Sequence, residues 1–184
     1  MAIMYHTKLL VGVPQRRAID LPWRSVETDV ASFPMITCGN QQRMFKNTIK
    51  IPVEWGHCDP AKIVFYPNYF VWFDHGTRHL FESAGVGYEV MLDEYKTLGL
   101  PLVDAHAKFL SPSQFGDDLE ITSHVSEWRR RTLVVTHEVS NAGKPAVRGE
   151  EIRVWASADP DTPGKLITAE IPEDFRARFD ADSK

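Results

Sequence analysis

The chain has 184 residues, 21 Lys and Arg against 25 Asp and Glu, and a formal net charge of −4. At about 150 residues per domain that is one domain with a modest appendage, and two large domains are excluded. Hydrophobic residues make up 43% and charged residues 25%, the balance of an ordinary folded protein, and an acidic chain is excluded as a coat for nucleic acid, whose grip rests on excess Lys and Arg.

Cys38 and Cys58 are the only cysteines. They are too few for a disulfide framework and have no CxxC or Cys/His ligand spacing, so a reducing compartment is expected. No stretch approaches the roughly 20 apolar residues that cross a bilayer, and no charged segment precedes an apolar one at the start. The expectation is a soluble, cytoplasmic chain. Residues 1–43 lack sustained periodicity, contain Pro14, Pro22 and Pro34, and carry five basic against three acidic residues. Asp20, Glu27 and Asp29 argue against an acid-poor presequence. The segment reads as an irregular or partly ordered N-terminal extension, with one domain over residues 44–184.

From Phe45 onwards Ile49, Ile51, Val53 and Trp55 alternate with Thr48, Lys50, Pro52 and Glu54, the pattern of a half-buried strand. Pro52 donates no ladder hydrogen bond, which predicts an edge or a bulge there. Pro67 suits the first turn of a helix, and Tyr69, Phe70, Phe73, Thr77, Leu80, Phe81 and Ala84 follow helical spacing up to Gly85. Tyr88, Met91, Leu92, Tyr95 and Leu98 predict a second, short helix ending at Gly99. Strands are predicted over roughly 102–110, 118–128, 131–140 and 146–157, with a weaker one near 165–170. One strand, one long apolar helix and a run of antiparallel strands make an α+β domain in which a curved sheet wraps the helix.

Most of the chemical signal lies between the first strand and the long helix. Asp59 precedes Pro60, which pushes it towards an extended conformation, and the loop leads into a helix N-terminus whose free N–H groups stabilise an oxyanion. A carboxylate facing an oxyanion site suits acyl transfer, although Asp-Pro is also a common turn initiator. His57 and Cys58 are adjacent and point to opposite sides of an extended chain, which makes a poor nucleophile-base pair. A metal site through His57, Cys58, Asp59 and His75 or His79 is no better supported, and no metal or cofactor is expected.

On the helix, Trp72, Asp74, His75, Arg78, His79 and Glu82 lie off the predicted apolar stripe. Asp74, at its edge, is read as semi-buried, and a carboxylate there demands a donor such as a ligand hydroxyl. Arg129, Arg130 and Arg131 follow Glu127-Trp128 at a strand junction. Guanidinium forks match phosphates, and a charged hairpin with edge-strand gatekeepers is the competing reading.

In Gly56-His57-Cys58-Asp59-Pro60-Ala61 and Ile63-Val64-Phe65-Tyr66-Pro67-Asn68-Tyr69 the chain resembles the hotdog-fold acyl-CoA thioesterases, most of all the 4-hydroxybenzoyl-CoA thioesterase branch. The likeness continues through Trp72-Phe73-Asp74, Gly99-Leu100-Pro101-Leu102-Val103, Phe115-Gly116-Asp117-Asp118-Leu119, Glu127-Trp128-Arg129-Arg130 and Glu150-Glu151-Ile152-Arg153-Val154, and spans nearly all of residues 44–173. It implies a long helix wrapped by an antiparallel sheet. It also implies that Asp59 is the catalytic carboxylate, as nucleophile or general base, and that the backbone N–H of Tyr66 polarises the thioester oxygen. Asp74 matches the position that meets a ring hydroxyl, Trp72 adjoins it as a substrate-binding residue, and Arg129, Arg130 and Arg131 match the segment near the CoA phosphates.

The implied substrate is an aromatic acyl-CoA, with a homodimer or homotetramer whose active sites lie between subunits and no partner nucleic acid or membrane. The family usually has Gly where this chain has Lys62, which predicts a changed loop or local strain. Two competing expectations are a broad-specificity thioesterase for short or medium acyl chains, and a non-catalytic acyl-CoA-binding module whose altered loop has lost turnover. A nucleic-acid role for the arginines is disfavoured. Setting aside the first 43 residues, with their five basic and three acidic side chains, leaves 16 basic against 22 acidic ones.

Overall fold

The computed structural model describes residues 44–159, 161, 162 and 165–180, so the expected extension over residues 1–43 lies outside the described residues. The alternating segment forms strand β1, Lys46–Pro52, with Asn47, Ile49 and Ile51 half-buried and Lys46, Thr48 and Lys50 exposed. Pro52 stands at its last position, opposite Asp118 on an edge strand, where a missing donor costs nothing. The long helix is α1, Pro67–Ser83, with Pro in its first turn. It ends where Gly85 takes φ 76: the Val86 N–H reaches back to the Phe81 carbonyl at 3.0 Å and the Gly85 N–H to that of Glu82 at 3.0 Å, satisfying carbonyls that would otherwise be left open.

Strands β3 (Leu102–Phe109), β4 (Asp118–Trp128), β5 (Thr132–Asn141) and β6 (Lys144–Val154) join β1 in an antiparallel sheet of order β1-β4-β5-β6-β3. This is the predicted α+β arrangement of a long helix on an antiparallel sheet.

Three local expectations differ from the structure. The second helix, α2, covers only Tyr88–Asp93, because Lys96 adopts φ 52 and the chain then forms β2, Thr97–Gly99. The long strand expected over 146–157 divides at Trp155, whose ring is buried against Tyr95 and Phe175, and continues as β7, Ala156–Ala158. Strand β7 pairs with β2 and with β8, Leu166–Thr168, in a separate small sheet. The third is a short helix, α3 (Glu173–Ala177), which was not anticipated, although Glu173 and Asp174 in its first turn and the i, i+4 pair Phe175 and Phe179 are its signals.

The core under α1 falls into two apolar clusters. Tyr69, Trp72 and Phe73 in the first half of α1 pack with Leu119, Ile121 and Val139, and Leu80, Phe81 and Ala84 in the second half pack with Leu133, Trp155 and Phe175. Between them Gly76 and Thr77 lie over polar side chains of the sheet, so the helix crosses a polar strip at its middle. Glycine is required at position 76, where an added Cβ would come within 2.6 Å of Ser123 Oγ. It is required more strictly at position 149, where a Cβ would lie 2.3 Å from the Phe73 ring; that ring rests on the sheet backbone and stacks on His137 at 4.8 Å.

Candidate active site

Asp59 opens a tight hairpin. Its carbonyl accepts the Lys62 N–H at 2.8 Å, and its own N–H donates to the Ile63 carbonyl at 3.0 Å, so Pro60, Ala61 and Lys62 form a three-residue loop with Cys58 and Val64 paired across its base. Such loops take a type I turn followed by one left-handed residue, and Lys62 occupies that position at φ 65. The expected effect of lysine in place of glycine therefore resolves in one direction: the turn keeps its shape and Lys62 carries the strain. The Asp59 carboxylate caps the turn by accepting the Ala61 N–H through Oδ1 at 2.8 Å.

The loop is held from behind. A short 3-10 turn over Trp55–His57 precedes it, and His57 Nδ1 accepts the Glu54 N–H at 2.9 Å, which fixes the ring as the tautomer protonated on Nε2. The His57 carbonyl accepts both the Phe65 N–H and the Asn68 side-chain amide at 2.9 Å, tying the loop to the first turn of α1. This use of His57 removes it from the role of base to Cys58. Trp72, expected at the substrate, is 4% exposed, and its ring meets those of His57 and Tyr69 edge-on at 5.2 Å each, so within one chain it supports the loop from the core. Its expected place off the apolar stripe is corrected by that burial.

Asp59 itself lines a groove of about 490 Å³ with Trp55, Cys58, Pro60, Lys62, Gln114 and Phe115. Trp55 and Phe115 are well exposed and stand edge to face at 5.9 Å, so the groove offers aromatic walls beside a carboxylate. Tyr66 occupies the residue before α1, and among the described residues its N–H donates to nothing. That is the donor an oxyanion needs. Among the described residues no group of three His, Cys, Asp or Glu side chains is placed to hold a metal ion.

Asp74 lines a different cavity, of about 280 Å³, with Arg78, Tyr88, Met91, Leu100 and Arg153 among its walls. Its side chain is 65% exposed, and the donor that sequence reasoning sought for it is present in the protein: Arg153 Nη2 donates to Asp74 Oδ1 at 2.6 Å. The three arginines sit at the β4–β5 turn. Arg129 makes a two-pronged contact with Glu127 at 2.9 Å for each bond, and Arg130 pairs with Glu170. The backbone beneath them is fixed from three directions: the Arg129 carbonyl accepts from the Arg176 side chain, that of Arg130 from the Ile171 N–H and that of Arg131 from the Trp155 N–H.

Residues 53–179 match the thioesterase-like superfamily. The chain belongs to that superfamily. It is 34% identical over 134 residues to the 4-hydroxybenzoyl-CoA thioesterase of Pseudomonas sp. strain CBS-3, covering 70% of this chain and 93% of that protein. A crystal structure of a 4-hydroxybenzoyl-CoA thioesterase mutant complexed with 4-hydroxybenzoyl-CoA superposes with a TM-score of 0.67 at 31% identity, over 73% of this chain and 98% of that one. A gentisyl-coenzyme A thioesterase structure is 31% identical with a TM-score of 0.61, covering 71% and 99%. These neighbours bear out the hotdog fold and the expectation of an acyl-CoA thioester hydrolase.

In this thioesterase the predicted site residues fall into three places. Asp59 and the Tyr66 N–H belong to one loop and the helix start it feeds; Asp74 lines a cavity that shares no lining residue with the Asp59 groove; the arginines occupy the far end of the sheet, at the turn between β4 and β5. Two further residues, Glu151 and Arg153, join Asp74 to the sheet interior. Their signal was present in the Glu-Ile-Arg alternation of β6, which turns two charged side chains to the same inner face.

Proposed function

We propose that this thioesterase hydrolyses an aromatic acyl-CoA, 4-hydroxybenzoyl-CoA or a close hydroxylated relative, to the free acid and CoA without metal or organic cofactor. The observation that carries the reading is the Asp59 carboxylate in an aromatic-walled groove, on a loop tied to a helix start with a free N–H. Asp59 either attacks the thioester carbon, expelling the CoA thiolate and leaving an anhydride that water hydrolyses, or takes a proton from the water that attacks. In both routes negative charge grows on the thioester oxygen, and the Tyr66 N–H is the donor that meets it.

Asp74 accepts the ring hydroxyl, Trp72 supports the acyl site, and Arg129, Arg130 and Arg131 take the CoA phosphates, for which Arg129 and Arg130 exchange the carboxylates of Glu127 and Glu170. Because Asp59 and Asp74 line separate cavities of one chain, a substrate touching both lies between two subunits, and a homodimer or homotetramer is the working assembly. Among the described residues no helix is long and apolar enough to cross a membrane, and the cytoplasm is the proposed location.

The similarity at 31–34% identity to thioesterases named for hydroxylated aromatic acyl groups favours this substrate over aliphatic thioesters. The non-catalytic alternative rested on a deformed loop at Lys62, and the closed hairpin there favours turnover. The test is thiol release from 4-hydroxybenzoyl-CoA, benzoyl-CoA and hexanoyl-CoA by wild type and Asp59→Asn. The reading requires the highest kcat/KM on the hydroxylated substrate and its loss in the variant. Equal rates on all three substrates leave a broad thioesterase, and thermal stabilisation by the thioesters without release leaves a binding module.

A further inference from the structure

The polar strip beneath the middle of α1 is a chain of contacts with one exposed end. Ser123 Oγ lies 2.8 Å from His137 Nδ1, and His137 Nε2 lies 3.3 Å from Glu151 Oε2. The same oxygen accepts from Thr77 Oγ1 at 2.8 Å and from Arg153 Nε and Nη2 at 3.0 and 2.9 Å. Ser123, His137 and Glu151 are at most 1% exposed, Thr77 3% and Arg153 8%. Only Asp74, at the end of the chain, has its side chain largely in solvent.

We propose that Arg153 is the positioning residue that sets the preference of this thioesterase for a hydroxylated acyl group, by holding Asp74 Oδ1 so that Oδ2 is presented to the ligand hydroxyl. The inference rests on the reading that Asp74 meets that hydroxyl. Three features of the geometry carry it. Arg153 is fixed without help from Asp74, because Glu151 accepts from Nε and Nη2 and the Leu100 carbonyl accepts from Nη1 at 3.2 Å. Asp74, on an exposed helix face, has no other hydrogen-bond partner for its carboxylate among the described residues, so its rotamer depends on Arg153. The same guanidinium also joins two walls of the cavity, since Asp74 comes from α1 and Leu100 from the segment after β2.

An exposed carboxylate adds little stability to a buried arginine. What passes between the two is therefore orientation, from Arg153 to Asp74. A ligand lacking the hydroxyl makes no use of the oriented oxygen, so loss of Arg153 falls on the hydroxylated substrate alone.

The experiment measures kcat and KM for 4-hydroxybenzoyl-CoA and benzoyl-CoA with wild type, Asp74→Ala, Arg153→Met, Arg153→Lys and the double variant Asp74→Ala/Arg153→Met. Arg153→Met is expected to lower the ratio of kcat/KM values for the two substrates about tenfold, as Asp74→Ala does, while benzoyl-CoA turnover stays within about threefold of wild type. The double variant is expected to show the ratio of Asp74→Ala, since Arg153 acts through Asp74. Arg153→Lys, which keeps the cation without the fork, should recover part of the ratio, and it supplies the same reading should the methionine variant fail to fold. An equal loss on both substrates in the Arg153 variants, with Asp74→Ala still selective, overturns the positioning role and leaves the Asp74 reading intact. A ratio unchanged by Asp74→Ala overturns that reading, and the positioning role with it.

Discussion

The Asp59 hairpin and the polar strip under α1 hold their side chains by opposite means. In the hairpin the hydrogen bonds that close the turn each span a few residues: Asp59 bonds to Ala61, Lys62 and Ile63, and His57 to Glu54. In the strip, Ser123, His137, Glu151 and Arg153 come from three strands and Asp74 and Thr77 from the helix, and nearly all of the side chains are out of water. A local loop keeps its geometry when one group changes, because the backbone bonds close it. A buried network loses several contacts at once, and each orphaned group bears a desolvation penalty.

The largest expected effects separate the two. Asp59→Asn should lower kcat/KM for 4-hydroxybenzoyl-CoA by about 10³-fold or more, with a melting temperature near that of wild type, because the amide oxygen of asparagine still accepts the Ala61 N–H. A matching loss of stability measured by calorimetry would break the contrast. Glu151→Ala should do the reverse and cost about 3–5 kcal/mol in urea unfolding, since it strips Thr77, His137 and Arg153 of a shared acceptor. A cost below about 1 kcal/mol, the range of an exposed pair, would show that the strip is not what braces the helix. Burial alone raises the Glu151 carboxyl, but the His137 bond and the Arg153 charge outweigh it, and the net shift is downwards. Its contribution is thus present above the ordinary carboxylate range and is lost as pH falls through the lowered value.

The same difference decides what was legible in the sequence. Asp59, Pro60 and the helix start at Pro67 are neighbours in the chain, so spacing and turn chemistry bring them together without tertiary information. The strand and helix periods placed β1, α1 and the antiparallel run for the same reason. Glu151 and Asp74 are 77 positions apart, and only the seat of α1 on the sheet brings Asp74 to the arginine that Glu151 holds from two residues away on β6. Trp72 was misread because an indole off the ideal apolar stripe is buried by a partner, His57, that no helical period contains. The end of α2 at Asp93 was hidden because Lys96 adopts a left-handed conformation that its residue type does not advertise.

Two smaller effects sharpen the contrast at the backbone. Gly149→Ala should cost about 1–3 kcal/mol, because its Cβ would lie 2.3 Å from the Phe73 ring that stacks on His137. The measurement is urea unfolding, with partial rescue in Gly149→Ala/Phe73→Leu as the sign that the clash is the cause. Lys62→Gly works in the other direction. It removes a Cβ from a left-handed position and should stabilise the protein by up to about 1 kcal/mol, less the backbone entropy glycine brings to the unfolded chain. Since the hairpin hydrogen bonds are already formed with lysine, kcat/KM should change less than threefold. A large gain in turnover would show that Lys62 distorts the catalytic loop after all.

The smallest effect is a dependence on pH that lies outside both regions. His124, on the opposite face of β4 from Ser123, is 6% exposed, and its Nδ1 has no partner among the described residues. Burial lowers its pKa, the cations of Lys46 and Arg148 lower it further, and Glu138 opposes them. The unfolded chain therefore takes up this proton first as pH falls through the ordinary histidine value of about 6.5. The folded state loses stability from there down to the lowered value, and above about 6.5 the residue makes no pH-dependent contribution. Urea midpoints of wild type and His124→Gln at pH 7.5 and pH 5.5 isolate the effect: the wild type should fall further over that interval than the variant. Glu151 acts in a separate window below the carboxylate range, so a fall of equal size in both proteins would trace the loss to other groups and remove His124 from the account.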